Sequence, residues 1–105
     1  MKKGDIVLVP FPFTDLTSEK NRPALVLLDH EEDVTLAFIT TKVEWAKKWD
    51  LYLTPTHHNG LKKESLVRLA KITTLEKSLI LGRLGSLSEE NLTLLDKNLK
   101  ILFGL

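Results

Sequence analysis

A chain of 105 residues, 43% of them hydrophobic and 28% charged, fits one compact domain, because two separate cores would each be too small to offset the entropy of ordering the chain. The absence of cysteine excludes a disulfide framework, a thiolate metal site and a cysteine nucleophile. A formal net charge of +1 excludes a general polycation, so any affinity for nucleic acid must come from local clusters of Lys and Arg. No apolar run approaches the roughly 20 residues of a membrane span, and the start of the chain does not read as a signal peptide, so we expect a cytoplasmic protein that makes no membrane contact.

Short apolar runs separated by turn residues fill the first two-thirds of the chain and predict a small β-sheet with antiparallel pairing. Pro10 and Pro12 are expected to end the first strand, because proline cannot donate to a strand ladder. The polar segment 14–21 lacks apolar anchors and is predicted to be a mobile flap. The predicted strands cover residues 5–9, 23–29, 34–40, 50–54 and 65–69.

The pattern changes after Ile72. Residues 74–79 predict a single helical turn, and residues 81–85 predict a short return strand. Ser88 can cap a final helix, along which leucines at positions 92, 95, 99 and 102 form one apolar stripe, and Gly104 falls where that helix would stop. These elements predict a mainly β fold with a C-terminal helix (α+β), built as one small, strongly bent antiparallel barrel over residues 1–105.

Several kinds of site lack support in the sequence. The three histidines, His30, His57 and His58, do not form a metal-binding pattern, and the last two are interpreted as turn residues beside Asn59-Gly60. No nucleophile elbow, Walker loop or zinc motif occurs. We therefore predict neither a metal ion nor another cofactor.

Cations and hydroxyl groups at the ends of predicted strands remain as candidates for chemistry. Arg22 precedes the second strand, Thr40 ends the third, and Arg68 and Lys71 lie near the end of the fifth. Arginine offers a fork for two phosphate oxygens, and such groups suit RNA cleavage through the substrate's own 2′-hydroxyl, whose transition state gathers negative charge. A lone arginine before a strand is more often a surface cation, so that alternative stays open at this point.

Several segments together resemble the PemK/MazF family of toxin endoribonucleases. The segments are Gly4-Asp5-Ile6-Val7, Arg22-Pro23-Ala24-Leu25-Val26, a third strand ending in Thr40-Thr41, Gly60-Leu61 followed by Ser65-Leu66-Val67, and the stretch 68–77. The resemblance implies an SH3-like small barrel and a homodimer that holds single-stranded RNA in a groove. It also implies a cognate antitoxin peptide covering that groove, and cleavage to a 2′,3′-cyclic phosphate and a 5′-hydroxyl.

Carried over by position, the resemblance assigns catalytic roles to Arg22, Thr40 and Arg68, the last at the position of an arginine that serves as an acid. The carboxylate of the family two residues later is Ala70 here. Alternation along a strand places Arg68 and Ala70 on one face, with Lys71 pointing away unless a bulge re-aims it. The residues that we expect to contact RNA are Phe13, Lys20, Thr41, Lys42 and Lys71.

Two alternatives to an active nuclease follow from Ala70. One is a toxin without enzymatic activity that grips a protein, like the CcdB gyrase poisons, and the other is a degenerate relative that binds RNA but cuts it poorly. A separate choice concerns Trp45 and Trp49, which lie beside Lys47 and Lys48. They either stack on unpaired bases or, as we favour from their spacing of one helical turn, cover the core or a subunit interface.

Overall fold

The structure, a computed structural model, describes residues 1–11 and 20–105. Within these residues, six antiparallel strands form one sheet in the order β4-β5-β3-β2-β1-β6, which curls into a half-barrel and is followed by a helix. The strands are β1 (Asp5–Phe11), β2 (Lys20–His30), β3 (Asp33–Thr40), β4 (Leu51–Leu53), β5 (Ser65–Glu76) and β6 (Gly82–Ser86), and the helix is α1 (Glu89–Phe103). Two 3-10 turns cover Val43–Trp45 and Lys77–Leu79. The predicted mainly β fold with a C-terminal helix is confirmed.

The first strand continues past Pro10, one of the two prolines that were expected to end it, and Pro12 lies outside the described residues. β1 includes Pro10, which lies opposite Asn21 on β2. On the other side of β1, β6 pairs with residues Asp5 to Leu8. Within the described residues, Pro10 therefore has a paired strand on the β2 side alone. A residue without an N–H is tolerated at such an edge position, and the expectation that Pro10 ends the strand was wrong.

The predicted flap, residues 14–21, lies outside the described residues except at its end. Lys20 and Asn21 belong to β2, where they pair with Phe11 and Pro10. Those two residues are therefore strand residues, and the predicted boundary between flap and strand was placed too late.

The fifth strand is longer than predicted. β5 runs to Glu76 because residues 33–37 of β3 pair with residues 72–76, where the sequence had predicted a helical turn from residue 74. The 3-10 turn starts only at Lys77. The register also jumps: Phe38 lies opposite Arg68, but the preceding Ala37 lies opposite Ile72, so residues 69–71 bulge away from the pairing.

One side of the sheet packs against α1. The leucine stripe of the helix, with Leu95 fully buried, contacts a cluster that includes Ile6, Leu25 and Ala37. Ser88 caps the helix by accepting a hydrogen bond from the N–H of Asn91, and Gly104 ends it with a φ of 69°. The predicted C-terminal helix is confirmed. No helix in the described part of the chain is long and apolar enough to cross a bilayer.

The opposite side of the sheet has its own apolar cluster. Its buried members come from the first three strands: Val7, Val9, Ala24, Val26, Val34 and Leu36. Phe38 packs against this cluster at the end of β3. Side chains alternate along a strand, so a residue two positions from a member of this cluster also projects on the side away from α1.

An ion pair joins the end of β2 to the turn after β5. The ammonium of Lys77 donates a hydrogen bond to the carboxylate of Asp29. This bond, together with charge attraction, holds the pKa of Asp29 below its ordinary value of 3.8, although desolvation acts in the opposite direction. Because the folded pKa is the lower one, the stabilisation is present above the unfolded pKa and is lost as pH falls through the folded pKa. In Lys77→Met we expect the pKa of Asp29, followed by carboxyl NMR titration, to rise toward 3.8. An unchanged titration curve would contradict the assigned cause.

Candidate catalytic site

A cavity of about 450 Å³ opens between strands β2, β3 and β5 and the 3-10 turn that follows β3. Its lining residues are Arg22, Phe38, Ile39, Thr40, Thr41, Lys42, Trp45, Arg68 and Lys71. The structure thus brings the three proposed catalytic residues together with three of the expected RNA contacts. Phe13 and the side chain of Lys20 lie outside the described part of the chain.

Strand pairing explains why residues far apart in sequence meet here. Ala24 lies opposite Phe38, and Phe38 lies opposite Arg68, so three neighbouring strands align at this point. Arg22 is two residues before Ala24, and Thr40 is two residues after Phe38. Because a step of two keeps a side chain on the same face, both project on the side of the sheet away from α1.

Thr40 is held by a local turn. Its Oγ1 accepts a hydrogen bond of 3.1 Å from the backbone N–H of Lys42. A threonine hydroxyl that accepts one bond still has its own hydrogen to donate. The side chain is half-buried whereas Thr41 and Lys42 are exposed, so Thr40 sits at the wall of the cavity and the other two at its rim.

Lys71 reaches the cavity because of the bulge in β5. Simple alternation from Arg68 would direct Lys71 to the other face, but residues 69–71 leave the register with β3 and Lys71 joins the lining. Ala70 is exposed beside it. The alternation argument that ranked Arg68 above Lys71 therefore does not apply at this point.

Arg68 is more tightly held than the sequence suggested. Its side chain is only 17% exposed, and its Nε lies 3.4 Å from Oδ2 of Asp50, a carboxylate that is 1% exposed. The guanidinium carbon is 5.8 Å from the centre of the Trp45 ring, within the range of a cation–π contact. A buried carboxylate and an indole thus fix this cation in place.

The two tryptophans separate instead of sharing a helical face. Trp45 ends the 3-10 turn, is 53% exposed and lines the cavity, whereas Trp49 is half-buried and packs against the cluster on the α1 side. The chain becomes extended at Ala46, so a spacing of four residues does not place both on one surface. Trp49 covers the core as predicted, whereas Trp45 does not, and a subunit interface at Trp45 stays a prediction.

The cavity suits an anion that carries a planar group. Four cationic side chains line it, from Arg22, Lys42, Arg68 and Lys71, and the described lining contains no acidic residue. Phe38 and Trp45 supply apolar and aromatic surface between these charges. Within the described ranges, no three His, Asp or Glu side chains gather closely enough to hold a metal ion, so no metal ligands can be named there.

Sequence reasoning did not assign to this site the apolar lining residues Phe38 and Ile39, or Asp50 behind Arg68. Asp50 precedes β4 and is 18 positions from Arg68 in the chain, so nothing local links them. Phe38 belongs to an apolar strand and has no motif of its own. The one available signal for Asp50 was its position as an acidic residue just before an apolar strand. Asp is common in turns, so this position does not point to a functional site.

Comparison with known proteins agrees with this architecture. Residues 2–103 match the family described as PemK-like, MazF-like toxin of type II toxin-antitoxin system. A protein named probable endoribonuclease MazF from Mycolicibacterium smegmatis is 28% identical over 109 residues, which cover 100% of this chain and 98% of that protein.

Solved structures of mycobacterial proteins have the same fold. An endoribonuclease from a mycobacterial species, in complex with its cognate antitoxin, superimposes with a TM-score of 0.78 at 18% identity, covering 100% of this chain and 96% of that one. The Mycobacterium tuberculosis toxin MazF-mt6 gives a TM-score of 0.77 at 21% identity, with coverage of 96% and 97%. These likenesses show a shared fold, and the family match extends over nearly the whole sequence. The chain belongs to the PemK-like, MazF-like family of toxins of type II toxin-antitoxin systems.

Proposed function

We propose that this protein is an endoribonuclease toxin that cleaves single-stranded RNA, including mRNA, at a preferred sequence without a metal ion, and that a cognate antitoxin neutralises it. The observation that supports it most directly is the meeting of Arg22, Thr40 and Arg68 at one cationic cavity. Membership in a family of toxins, and a relative named as an endoribonuclease, support the same activity. The mycobacterial structure with its antitoxin supports the partner.

In the proposed reaction the ribose 2′-oxygen attacks the neighbouring phosphorus and the bond to the 5′-oxygen breaks. The proton of the 2′-hydroxyl passes to a solvent water, the leaving oxygen gains a proton from a protein donor, and the products are a 2′,3′-cyclic phosphate and a 5′-hydroxyl. Negative charge gathers on the phosphate oxygens during attack. Arg22 binds two of these oxygens as a fork, and the hydroxyl of Thr40 donates to the same group.

Arg68 and Lys71 are assigned different roles in the proposed reaction. Arg68, held by Asp50 and Trp45, acts as a fixed positive charge and not as the acid of the family pattern, because arginine does not readily release a proton. Lys71 is exposed in the lining, and a lysine ammonium exchanges its proton more readily. We assign donation to the leaving oxygen to Lys71.

The charge of the cavity and family membership support the proposed partners. RNA is proposed to lie along the side of the sheet away from α1, in a groove completed by a second copy of the chain. A cognate antitoxin peptide is proposed to cover the same groove, and its acidic side chains would replace RNA phosphates at the four cations of the lining.

A cleavage assay in chelator tests the function. Purified protein is incubated with mixed-sequence single-stranded RNA and excess EDTA, and both ends of each product are mapped, with Arg22→Ala protein purified identically as the control for contaminating nucleases. We expect cuts at a preferred sequence that leave a 5′-hydroxyl. RNA that binds but stays intact would indicate the degenerate relative. A protein that neither binds nor cuts RNA would favour a toxin acting on a protein, as CcdB does.

Trp45 is predicted to stack on an unpaired base of the substrate. Its exposed indole lines the cavity, and stacking of a base on an aromatic ring contributes about 1–3 kcal/mol. Trp45→Ala should weaken binding of an RNA blocked by 2′-O-methylation about 5- to 150-fold, measured by fluorescence anisotropy, and Trp45→Phe should retain most of the affinity. Phe103→Ala is the matched control, because Phe103 is 58% exposed on α1. Equal losses in Trp45→Ala and Phe103→Ala would argue against stacking.

A further inference from the structure

Asp50 is a buried carboxylate whose two oxygens are both engaged. Oδ1 accepts a hydrogen bond of 3.1 Å from the backbone N–H of Leu69, and Oδ2 accepts one of 2.9 Å from the N–H of Lys47. Oδ2 also lies 3.4 Å from Nε of Arg68. On the α1 side, the side-chain amide of Asn98 donates to the backbone carbonyl of Asp50 at 3.3 Å. These contacts connect the helix, the turn before β4 and the bulge of β5.

The ion pair leaves part of the Arg68 guanidinium for the cavity. Asp50 contacts Nε, so the terminal nitrogens remain for an anion in the cavity that Arg68 lines. The Trp45 ring limits movement of the same group. An arginine held in this way loses little side-chain entropy when a phosphate binds, and it needs no reorganisation when charge develops.

Asp50 cannot be the general base of the reaction. Its side chain is 1% exposed, and both oxygens accept hydrogen bonds from the backbone. A substrate hydroxyl cannot approach it within hydrogen-bond distance without opening the fold. Any role in cleavage must therefore be indirect, and Arg68 is the cavity-lining side chain that the Asp50 carboxylate contacts.

We propose that Asp50 is a positioning residue for RNA cleavage, whose buried carboxylate fixes the guanidinium of Arg68 in the geometry that receives the developing phosphate charge. The proposal rests on the proposed function, because it deepens the role of Arg68 in the same cavity. It also explains why a carboxylate is kept in the interior beside a cation, because removing one partner of a buried pair is strongly destabilising.

A double-mutant cycle on RNA cleavage separates positioning from a merely structural role. Asp50→Asn keeps the shape of the side chain and should lower kcat about 10- to 100-fold with a smaller change in KM, as expected when a reacting contact is displaced by about 1 Å. In an Arg68→Ala background, the same change should alter kcat less than about twofold, because the residue through which Asp50 acts is gone. If Asp50→Asn lowers kcat as much in the Arg68→Ala background as in the wild type, the proposal is wrong.

A control for loss of stability is a variant of Asn98, a neighbour of Asp50 that does not contact the carboxylate. Asn98→Ala removes a buried side chain and its bond to the Asp50 carbonyl but none of the contacts of the Asp50 carboxylate, so it should lower the urea midpoint while kcat stays near that of the wild type. If kcat falls with the midpoint in Asn98→Ala as it does in Asp50→Asn, the effect of Asp50 is structural and the proposal is wrong. Should Asp50→Asn not fold, Asp50→Glu displaces the carboxylate by one methylene, and its loss of kcat must likewise vanish in the Arg68→Ala background.

A spectroscopic measurement tests positioning without RNA. The chain has two tryptophans, so Trp49→Phe leaves Trp45 as the sole indole, beside Arg68. In that background the emission of Trp45 in Asp50→Asn should shift toward that of Arg68→Ala. Emission identical to the parent protein would refute the positioning role. If the emission shifts but wild-type protein does not cut RNA, positioning stands and the proposed function fails.

Discussion

Replacing Arg22 by Lys is expected to slow RNA cleavage about a hundredfold while changing the free energy of unfolding by less than about 1 kcal/mol. Lysine keeps the positive charge but not the planar fork, so attraction of the ground-state phosphate survives and bidentate binding of the developing charge does not. One such contact contributes about 3 kcal/mol to lowering the barrier. Single-turnover rates on a defined RNA and urea unfolding measure the two quantities.

Arg83→Lys is the matched control for this substitution. Arg83 lies on β6, is more than half exposed, and pairs with Asp5 outside the cavity lining, so the same chemical change there should leave the cleavage rate unchanged. Wild-type rates from folded Arg22→Lys protein would remove Arg22 from catalysis. That result would move the proposal toward a toxin that binds a protein.

Gly60→Ala is expected to lower the free energy of unfolding by roughly 2–5 kcal/mol. Gly60 has a φ of 72°, a conformation that strains a residue with a side chain by about 1–2 kcal/mol. An added Cβ would also lie 2.2 Å from the backbone carbonyl oxygen of Leu84, and relieving that overlap costs about 1–3 kcal/mol more. The turn cannot shift freely, because the Asn59 side chain accepts from the N–H groups of Thr56 and Leu61 and donates to the Thr54 carbonyl.

Gly82→Ala serves as the control for the loss of a glycine. No atom lies within 4 Å of a Cβ built at Gly82, which is exposed at the start of β6. Its stability should stay within about 0.5 kcal/mol of the wild type, as for most surface substitutions. Urea unfolding of both variants decides the matter: equal stabilities would show that the close approach of β6 to the turn is not a constraint.

Sequence alone determined the elements whose signals are local. The leucine stripe, the Ser88 cap and the Gly104 stop define α1 within one stretch of chain, and all three match the structure. The apolar runs located each strand. Arg22 and Thr40 were candidates because they lie at the ends of predicted strands, and the family resemblance selected them among those candidates. Local hydrogen bonds and periodic burial act over a few residues, so they are readable from a few residues.

Only the tertiary structure decided how far β5 runs and what surrounds the cavity. Pairing with β3 extends β5 over residues 72–76 and expels residues 69–71 as a bulge, which turns Lys71 toward the cavity. Trp45 and Trp49 lie on different surfaces because the chain is extended at Ala46. Asp50, which immediately precedes β4, forms an ion pair with Arg68 on β5. Register and ion pairs of this kind depend on partners distant in the chain, and local composition does not encode which partner a strand or a buried charge will meet.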